Sequence, residues 1–261
     1  MAHIEIHALS VKLAGTFEAH VFFPEQEVEK TEEKFPVLWM IHEDGTGTFD
    51  LMRHAALIEK IAEEKKMFVI APMISHSLAT NMAFGTKNED FLVEECPEIF
   101  RFLYPVSEKK EDNYIFGIHT GAYGAVKLAM KHPDVYAGCF AVNGEFDIAG
   151  RCKDSKNREA GFRHQSEESL KAVFGDLDKV SGGQEDIYHL AGNAQIRIEL
   201  FCSTKLDRYK DNKRLEEADT FVTLTGVDKT EDIQQIEEMI QAGADRIVRQ
   251  NRGIIYELSD K

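Results

Sequence analysis

The chain has 261 residues, 43% of them hydrophobic, so it can bury one substantial core, and we expect a single α/β domain over residues 1–261. A formal charge of −15 argues against nucleic acid and anionic membrane surfaces as partners, because both are bound through basic surfaces. The N-terminus has no basic start followed by an apolar core, and no apolar run approaches membrane-spanning length. We therefore expect a cytoplasmic protein.

Strand-like and helical patterns alternate along much of the chain, which is typical of a mostly parallel sheet with helices on both faces. Alternating residues near 8–13 and 18–23 predict an opening antiparallel hairpin, and the charged segment 25–34 predicts an exposed connection. In chain order, the elements expected next are strand 35–41, helix 52–65, strand 67–72, helix 90–104, strand 113–116, helix 122–131, strand 138–142, strand 196–202, helix 211–218, strand 221–225 and helix 231–248.

Two features interrupt this alternation. Pro97 lies inside the predicted helix 90–104 and should kink or restart it. Residues 144–185 form a long, charged excursion with only short helical patterns, at a place where lids occur in sheets of this kind.

The cysteines do not predict a metal or redox site. Cys96, Cys139, Cys152 and Cys202 lack the paired spacing of zinc and redox motifs. We expect reduced, mostly buried thiols, and neither a cofactor nor a metal ion is predicted.

The stretch Gly117-Ile118-His119-Thr120-Gly121 is the most informative motif. Two glycines flank a sharp strand-to-helix turn, as in the nucleophile elbow of hydrolases, where small side chains let the strand and the helix approach. The apex of such a turn is commonly at positive φ, which histidine tolerates better than most residues. His119 therefore stands where a nucleophile is expected.

Several blocks of sequence resemble the esterase D-like family of α/β-hydrolases, and within it the bacterial tributyrin or acetyl esterases. They are the strand Pro36–His42, the helix Phe91–Tyr104, the elbow and its helix Gly117–Ala129, the segment Phe174–Leu177 and the loop Phe201–Asn212. They occur in family order between about residues 36 and 225. The resemblance implies an α/β-hydrolase fold.

The catalytic residues of that family do not carry over to this chain. The serine nucleophile falls on His119, the aspartate of the acid loop on Leu206, and the histidine after the last strand on Val227. The oxyanion hole would use the backbone N–H of Thr120 and one near Glu43 and Asp44, where carboxylates oppose a developing negative charge.

The resemblance thus predicts a degenerate member of the family, a pseudoenzyme that lacks the Ser, Asp and His of the triad. Such a protein would bind a small molecule in a vestigial pocket near His42, Glu43, Asp44 and Thr120, or bind a protein partner, and a homo-oligomer is also compatible with the sequence.

Two alternatives keep a working role for His119. In one, the chain is a carboxylesterase-like hydrolase of short acyl esters, with His119 supported by carboxylates from Glu43, Asp44 or Asp207. In the other, His119 binds a metal ion together with His42, Glu43 or Asp44. A purely structural hydrogen-bonding role for His119 is the simpler hypothesis.

Overall fold

A computed structural model describes residues 2–29, 33–74, 76–155, 166–192 and 194–252. Its centre is one eight-stranded sheet with the strand order β1-β2-β4-β3-β5-β6-β7-β8. The strands are β1 (Ala2–Ser10), β2 (Gly15–Phe23), β3 (Val37–Ile41), β4 (Phe68–Pro72), β5 (Asn113–Ile118), β6 (Gly138–Val142), β7 (Arg197–Ser203) and β8 (Val222–Val227). The α/β-hydrolase fold class predicted from the sequence is confirmed.

The helices connect these strands and pack on both faces of the sheet. They are α1 (Glu25–Val28), α2 (Thr48–Arg53), α3 (Ala55–Lys65), α4 (Asn88–Asp90), α5 (Cys96–Leu103), α6 (Thr120–Lys131), α7 (Ile148–Asp154), α8 (Glu167–Phe174), α9 (Ile187–Leu190), α10 (Tyr209–Ala218) and α11 (Ile233–Arg252). A π-helical segment, Phe91–Glu95, joins α4 to α5.

Strands β3 to β8 run parallel, whereas β1 and β2 form an antiparallel hairpin that joins the sheet through β4. The parallel arrangement brings the carboxyl ends of β3, β5, β6, β7 and β8 to one edge of the sheet. The loops that leave this edge build the site described below, as expected for open α/β sheets.

Successive strand residues pack into opposite halves of the core. Trp39 and Ile115 belong to the half that contains α5 and α6, while Met40 and Phe116 belong to the half that contains α3 and α11. The central strands β3 to β6 are buried throughout, which explains their continuous apolar sequences.

The structure corrects the predicted elements in two places. The first strand spans Ala2–Ser10, so residues 11–14 form the turn of the hairpin and not the end of a strand. The predicted helix 52–65 is two helices separated at His54. The predicted restart at Pro97 is confirmed: helix α5 begins at Cys96, with Pro97 in its first turn, where the missing N–H of proline costs no helical hydrogen bond.

The excursion 144–185 contains α7, α8 and a short 3₁₀ turn, Leu177–Lys179. Its residues 156–165 lie outside the described residues. The excursion is joined to α6 at its end, where the Glu185 carboxylate accepts a hydrogen bond of 2.6 Å from the buried Lys127 ammonium. Within the part of the chain that is described, no helix has the length and apolar composition needed to cross a membrane.

Candidate active site

The turn between β5 and α6 has the backbone of a nucleophile elbow. His119 is at its apex with φ of 52°, a left-handed conformation that is strained for a residue with a side chain. A Cβ atom on Gly117 would overlap the carbonyl group of Gly121, and a Cβ atom on Gly121 would overlap the carbonyl group of Ile41. The two glycines are therefore required by the close approach of strand and helix.

The His119 side chain is buried between two carboxylates. Its Nε2 atom is hydrogen-bonded to the Glu231 carboxylate, and its Nδ1 atom lies 3.4 Å from Glu43 Oε1. The side chains of His119 and Glu43 are each only 5% exposed, and that of Glu231 is 17% exposed. Glu43 follows β3 and Glu231 follows β8, so the two carboxylates reach the apex from opposite sides of β5.

This arrangement fixes the charge of His119. Burial alone would lower the pKa of His119, but the hydrogen bonds and attraction from Glu231 and Glu43 outweigh burial and raise its pKa to about 9. Burial would likewise raise the pKa of Glu231, yet contact with His119, Arg208 and Asn143 lowers it to about 2. At neutral pH the centre is thus an imidazolium between carboxylates.

Further charged and polar groups surround the ion pair of His119 and Glu231. Asn143, which follows β6, donates from Nδ2 to Glu231 Oε1 at 2.9 Å. Arg208, in the loop after β7, lies 3.7 Å from Glu231 Oε2 and donates to Glu145 Oε1 at 3.2 Å. Loops after five strands therefore supply one connected network, in which each buried charge faces an opposite charge or a hydrogen-bond partner.

In the region predicted to form an oxyanion hole, backbone N–H groups donate hydrogen bonds to side chains of the protein. The backbone N–H of Asp44 donates to Thr120 Oγ1 at 2.7 Å. The Asp44 carboxylate accepts hydrogen bonds from the backbone N–H groups of Ser77 and Leu78 at 3.0 and 3.3 Å. The predicted residues Asp44 and Thr120 thus contact each other, and Asp44 fixes the loop that follows β4.

His42 has a structural role in this geometry. Its Nδ1 atom is 2.8 Å from the Glu43 carbonyl oxygen, and its Nε2 atom accepts from the Ile74 N–H at 3.1 Å. The ring is 3% exposed. Both ring nitrogens are committed to backbone groups, so His42 does not offer a lone pair to a metal ion beside His119.

Leu206 and Val227 lie where the resemblance assigns the acid and the base, but other residues of their loops reach the centre. Leu206 is in the turn after β7, where its N–H donates to the Ser203 carbonyl, and Val227 ends β8, opposite Ser203. The first of these loops supplies Arg208, which lies 3.7 Å from Glu231, and the second supplies Glu231, which contacts His119. Neither residue is predicted from the sequence, and the charge in each loop is the signal that could have revealed it.

The acid loop does not contribute a replacement nucleophile. The Ser203 hydroxyl donates to the Lys229 carbonyl oxygen, and Ser203 is fully buried. Burial raises the pKa of the Cys202 thiol to about 12, so this cysteine is uncharged and unreactive at neutral pH. Asp207 is exposed to solvent beside this loop.

A cavity of about 160 Å³ lies away from these residues, between the loop after β4 and the end of the excursion. Its polar lining includes Thr80, Asn81, Gln184 and Glu185, and its apolar lining includes Val173. None of the residues predicted to line a vestigial pocket is part of it. The Glu185 carboxylate that lines it is the one held by Lys127.

Comparison with known proteins agrees with this fold. Residues 10–223 match the family model described as "Putative esterase". An acetyl esterase of Caldicellulosiruptor saccharolyticus is 26% identical over 174 residues, which are 63% of this chain and 62% of that relative's length. The chain therefore matches less than two thirds of the relative.

Solved structures show the same fold at low sequence identity. The fluorophosphonate-binding serine hydrolase F of Staphylococcus aureus superposes with a TM-score of 0.81 at 23% identity, over 95% of this chain and 98% of that one. An S-formylglutathione hydrolase of Agrobacterium tumefaciens gives a TM-score of 0.72 at 15% identity, over 94% and 95% of the two chains. With the family model covering most of its length, the chain belongs to the esterase family and has the α/β-hydrolase fold.

Proposed function

We propose that this chain is a non-hydrolytic member of the esterase family that acts by binding a small molecule. The observation that carries the proposal is the position of His119 at the elbow, buried with its two ring nitrogens facing the carboxylates of Glu43 and Glu231, which raise its pKa to about 9 and keep it protonated at neutral pH. A protonated imidazole has no lone pair, so it is neither a nucleophile nor a general base.

The groups around the elbow support the same conclusion. Ester hydrolysis stabilises an oxyanion through oriented N–H donors, but the Asp44 N–H already donates to Thr120, and the Glu43 carboxylate is buried next to the elbow. Loss of the serine of a catalytic triad costs on the order of a millionfold in turnover, and the losses of its members are not additive. A serine mechanism is therefore not supported at this site.

Binding is supported by the cavity beside Thr80 and Glu185. An apolar cavity of about 150 Å³ is large enough for a benzene-sized molecule, and this one has a comparable volume. Hydroxyl, amide and carboxylate groups in its lining favour a small polar ligand that donates hydrogen bonds. The excursion 144–185 forms one wall, which gives the lid-like segment a role in binding rather than in hydrolysis.

The absence of hydrolysis is tested with p-nitrophenyl acetate, p-nitrophenyl butyrate and S-formylglutathione. We expect the purified protein to show the same rate as its His119→Ala variant and no labelling by a fluorophosphonate probe, with an active serine esterase as the positive control. Labelling of any serine, or turnover that His119→Ala abolishes, would contradict the proposal. The second result would favour a hydrolase built on His119.

Binding is tested by a thermal-shift screen of small amides, amines and polyols. We expect a stabilising ligand whose effect is lost when Val173→Phe fills the cavity and is kept when the exposed Phe221 is changed to alanine as a matched control. A ligand that stabilises the wild type and the Val173→Phe variant equally would show that the cavity is not the binding site.

A further inference from the structure

A second cluster of ionisable side chains lies on the β1–β2 hairpin at the edge of the sheet. In the antiparallel register Glu5 is opposite His20, and His7 is opposite Glu18. Directly opposed residues place their side chains on the same face, and His3 shares this face because strand side chains alternate. One face of a two-stranded ribbon therefore carries three imidazoles and two carboxylates.

We propose that Glu5, Glu18 and His20 form a Zn²⁺-binding site. Their candidate ligand atoms all lie within 4.8 Å of one another. One imidazole nitrogen and two carboxylate oxygens suit zinc, whereas calcium and magnesium prefer oxygen ligands alone. The two carboxylates neutralise the charge of a divalent ion, and water completes a tetrahedral coordination sphere.

The groups around His20 can support a zinc-binding histidine. Its Nε2 atom is 2.9 Å from Glu18 Oε1, and its Nδ1 atom is 2.9 Å from His3 Nε2. A zinc ion would replace the Nε2 proton that donates to Glu18, and His20 would then carry its proton on Nδ1 and donate it to His3 Nε2. A ligating imidazole commonly donates its other N–H in this way, which fixes its tautomer and its orientation.

The two carboxylates also have supporting donors. The Thr48 hydroxyl donates to Glu18 Oε1 at 2.6 Å, and the contact with His20 is made by the same oxygen, which leaves Oε2 to bind the metal. Glu5 Oε1 is 2.7 Å from His7 Nε2. Each proposed ligand thus has its own outer partner, namely His3, Thr48 and His7.

Exposure increases across the cluster and gives an ion a path inward. The side chain of His20 is 2% exposed, that of Glu18 is 31% exposed and that of Glu5 is 51% exposed. The His3 ring is stacked on Phe22 with ring centroids 4.2 Å apart, which holds the outer partner of His20 in place. A buried imidazole on the inner side and partly exposed carboxylates on the outer side favour capture of an ion from solvent.

The test is a calorimetric titration of tag-free, chelator-treated protein with ZnCl₂. We expect one equivalent to bind, and we expect Glu18→Gln and Glu5→Gln each to weaken the affinity at least about 10-fold, because a carboxamide is a poor zinc ligand. His3→Phe, which removes an outer partner, should weaken it roughly 10–100-fold. The matched control is His189→Ala, an exposed histidine on α9, which should leave the affinity unchanged.

A second readout separates binding at the hairpin from binding elsewhere. Co²⁺ in place of zinc should give visible d–d bands in the wild type and in His189→Ala, and the bands should be absent from the Glu5→Gln/Glu18→Gln double variant. Both carboxylates are partly exposed, so these variants should fold. Affinity that is unchanged in Glu18→Gln, or no binding of zinc by the wild type, would overturn the proposal.

Discussion

His119 is held as a buried cation by two carboxylates from distant parts of the chain. Buried ion pairs repay the cost of desolvation only when their remaining hydrogen-bonding groups are satisfied. Here Asn143 and Arg208 both contact Glu231, so the carboxylate that faces His119 is itself well supported. His119, at the apex of the elbow, is therefore the centre of this network of contacts.

The charge of His119 predicts how stability depends on pH. Its pKa is about 9 in the folded protein and 6.5 in the unfolded chain, so its contribution is complete below pH 6.5 and is lost as the pH rises through 9. The shift corresponds to roughly 3 kcal/mol. Urea unfolding at pH 6, 7.5 and 9 should show this decline, and NMR titration should give the raised pKa directly.

The control for this prediction is the His119→Gln variant, which cannot titrate. Its free energy of unfolding should be lower than that of the wild type at pH 6 and should change less between pH 6.5 and 9. If both proteins lose stability equally over this range, the decline comes from other groups.

Removal of Glu231 should unbalance the network. Glu231→Gln leaves Arg208 without one of its carboxylates and weakens the hold on His119, and we expect a loss of about 2–4 kcal/mol in the free energy of unfolding. The matched control is Asp207→Asn in the exposed part of the acid loop, which should change it by less than about 0.5 kcal/mol. Chemical denaturation at pH 7 measures both, and equal effects would refute a central role for Glu231.

The sequence predicted only part of this site. The glycines on either side of His119 identify the elbow, because a strand-to-helix turn of this kind has a strict local requirement for small residues. Glu231 is 112 residues away, and its loop has no motif that fixes its register. Local patterns identify the apex, but the partners of His119 depend on how separate loops meet above the sheet.

At the scale of the elements, the close packing at the elbow predicts that the same glycine-to-alanine substitution destabilises the fold strongly at the elbow and little elsewhere. Gly121→Ala would place a Cβ atom against the carbonyl group of Ile41, which belongs to the central strand β3 and has no room to move. We expect a loss of about 3 kcal/mol or more, or failure to fold. Gly15→Ala is the control, since its new Cβ atom would meet nothing closer than 3.9 Å. If the urea midpoints of the two variants shift by the same amount, the packing argument is contradicted.

The elements were predictable where a single local cause decides them. Buried parallel strands have continuous apolar sequences, and β3 to β6 were located correctly for that reason. The π-helical segment Phe91–Glu95 and the break at His54 have no comparable local signal. The turn at 11–14 lacks the usual asparagine–glycine pair, so the sequence does not show where the first strand of the hairpin ends.

At the scale of the whole molecule, Lys127 fastens the excursion to the core. Its ammonium is fully buried and donates to the Leu78 carbonyl, the Thr80 hydroxyl and the Glu185 carboxylate. Lys127→Met would leave Glu185 without this cation, and we expect a loss of roughly 3 kcal/mol and faster proteolysis within 166–192.

Limited proteolysis with mass mapping locates the cuts, and circular dichroism verifies that the Lys127→Met variant is folded. Lys179→Met is the control, because the Lys179 side chain is 83% exposed and lies in the same excursion. Cleavage at the same rate in both variants would show that Lys127 does not secure this segment.

The histidine at the elbow has a consequence for evolution. A serine at position 119 would remove the cation that Glu43 and Glu231 share, although Glu231 would keep its contacts with Arg208 and Asn143. Removing one partner of a buried ion pair typically costs about 3–5 kcal/mol, which is a large part of a total stability of about 5–15 kcal/mol. We therefore expect a change to serine at this position to be tolerated only together with changes at Glu43 or Glu231.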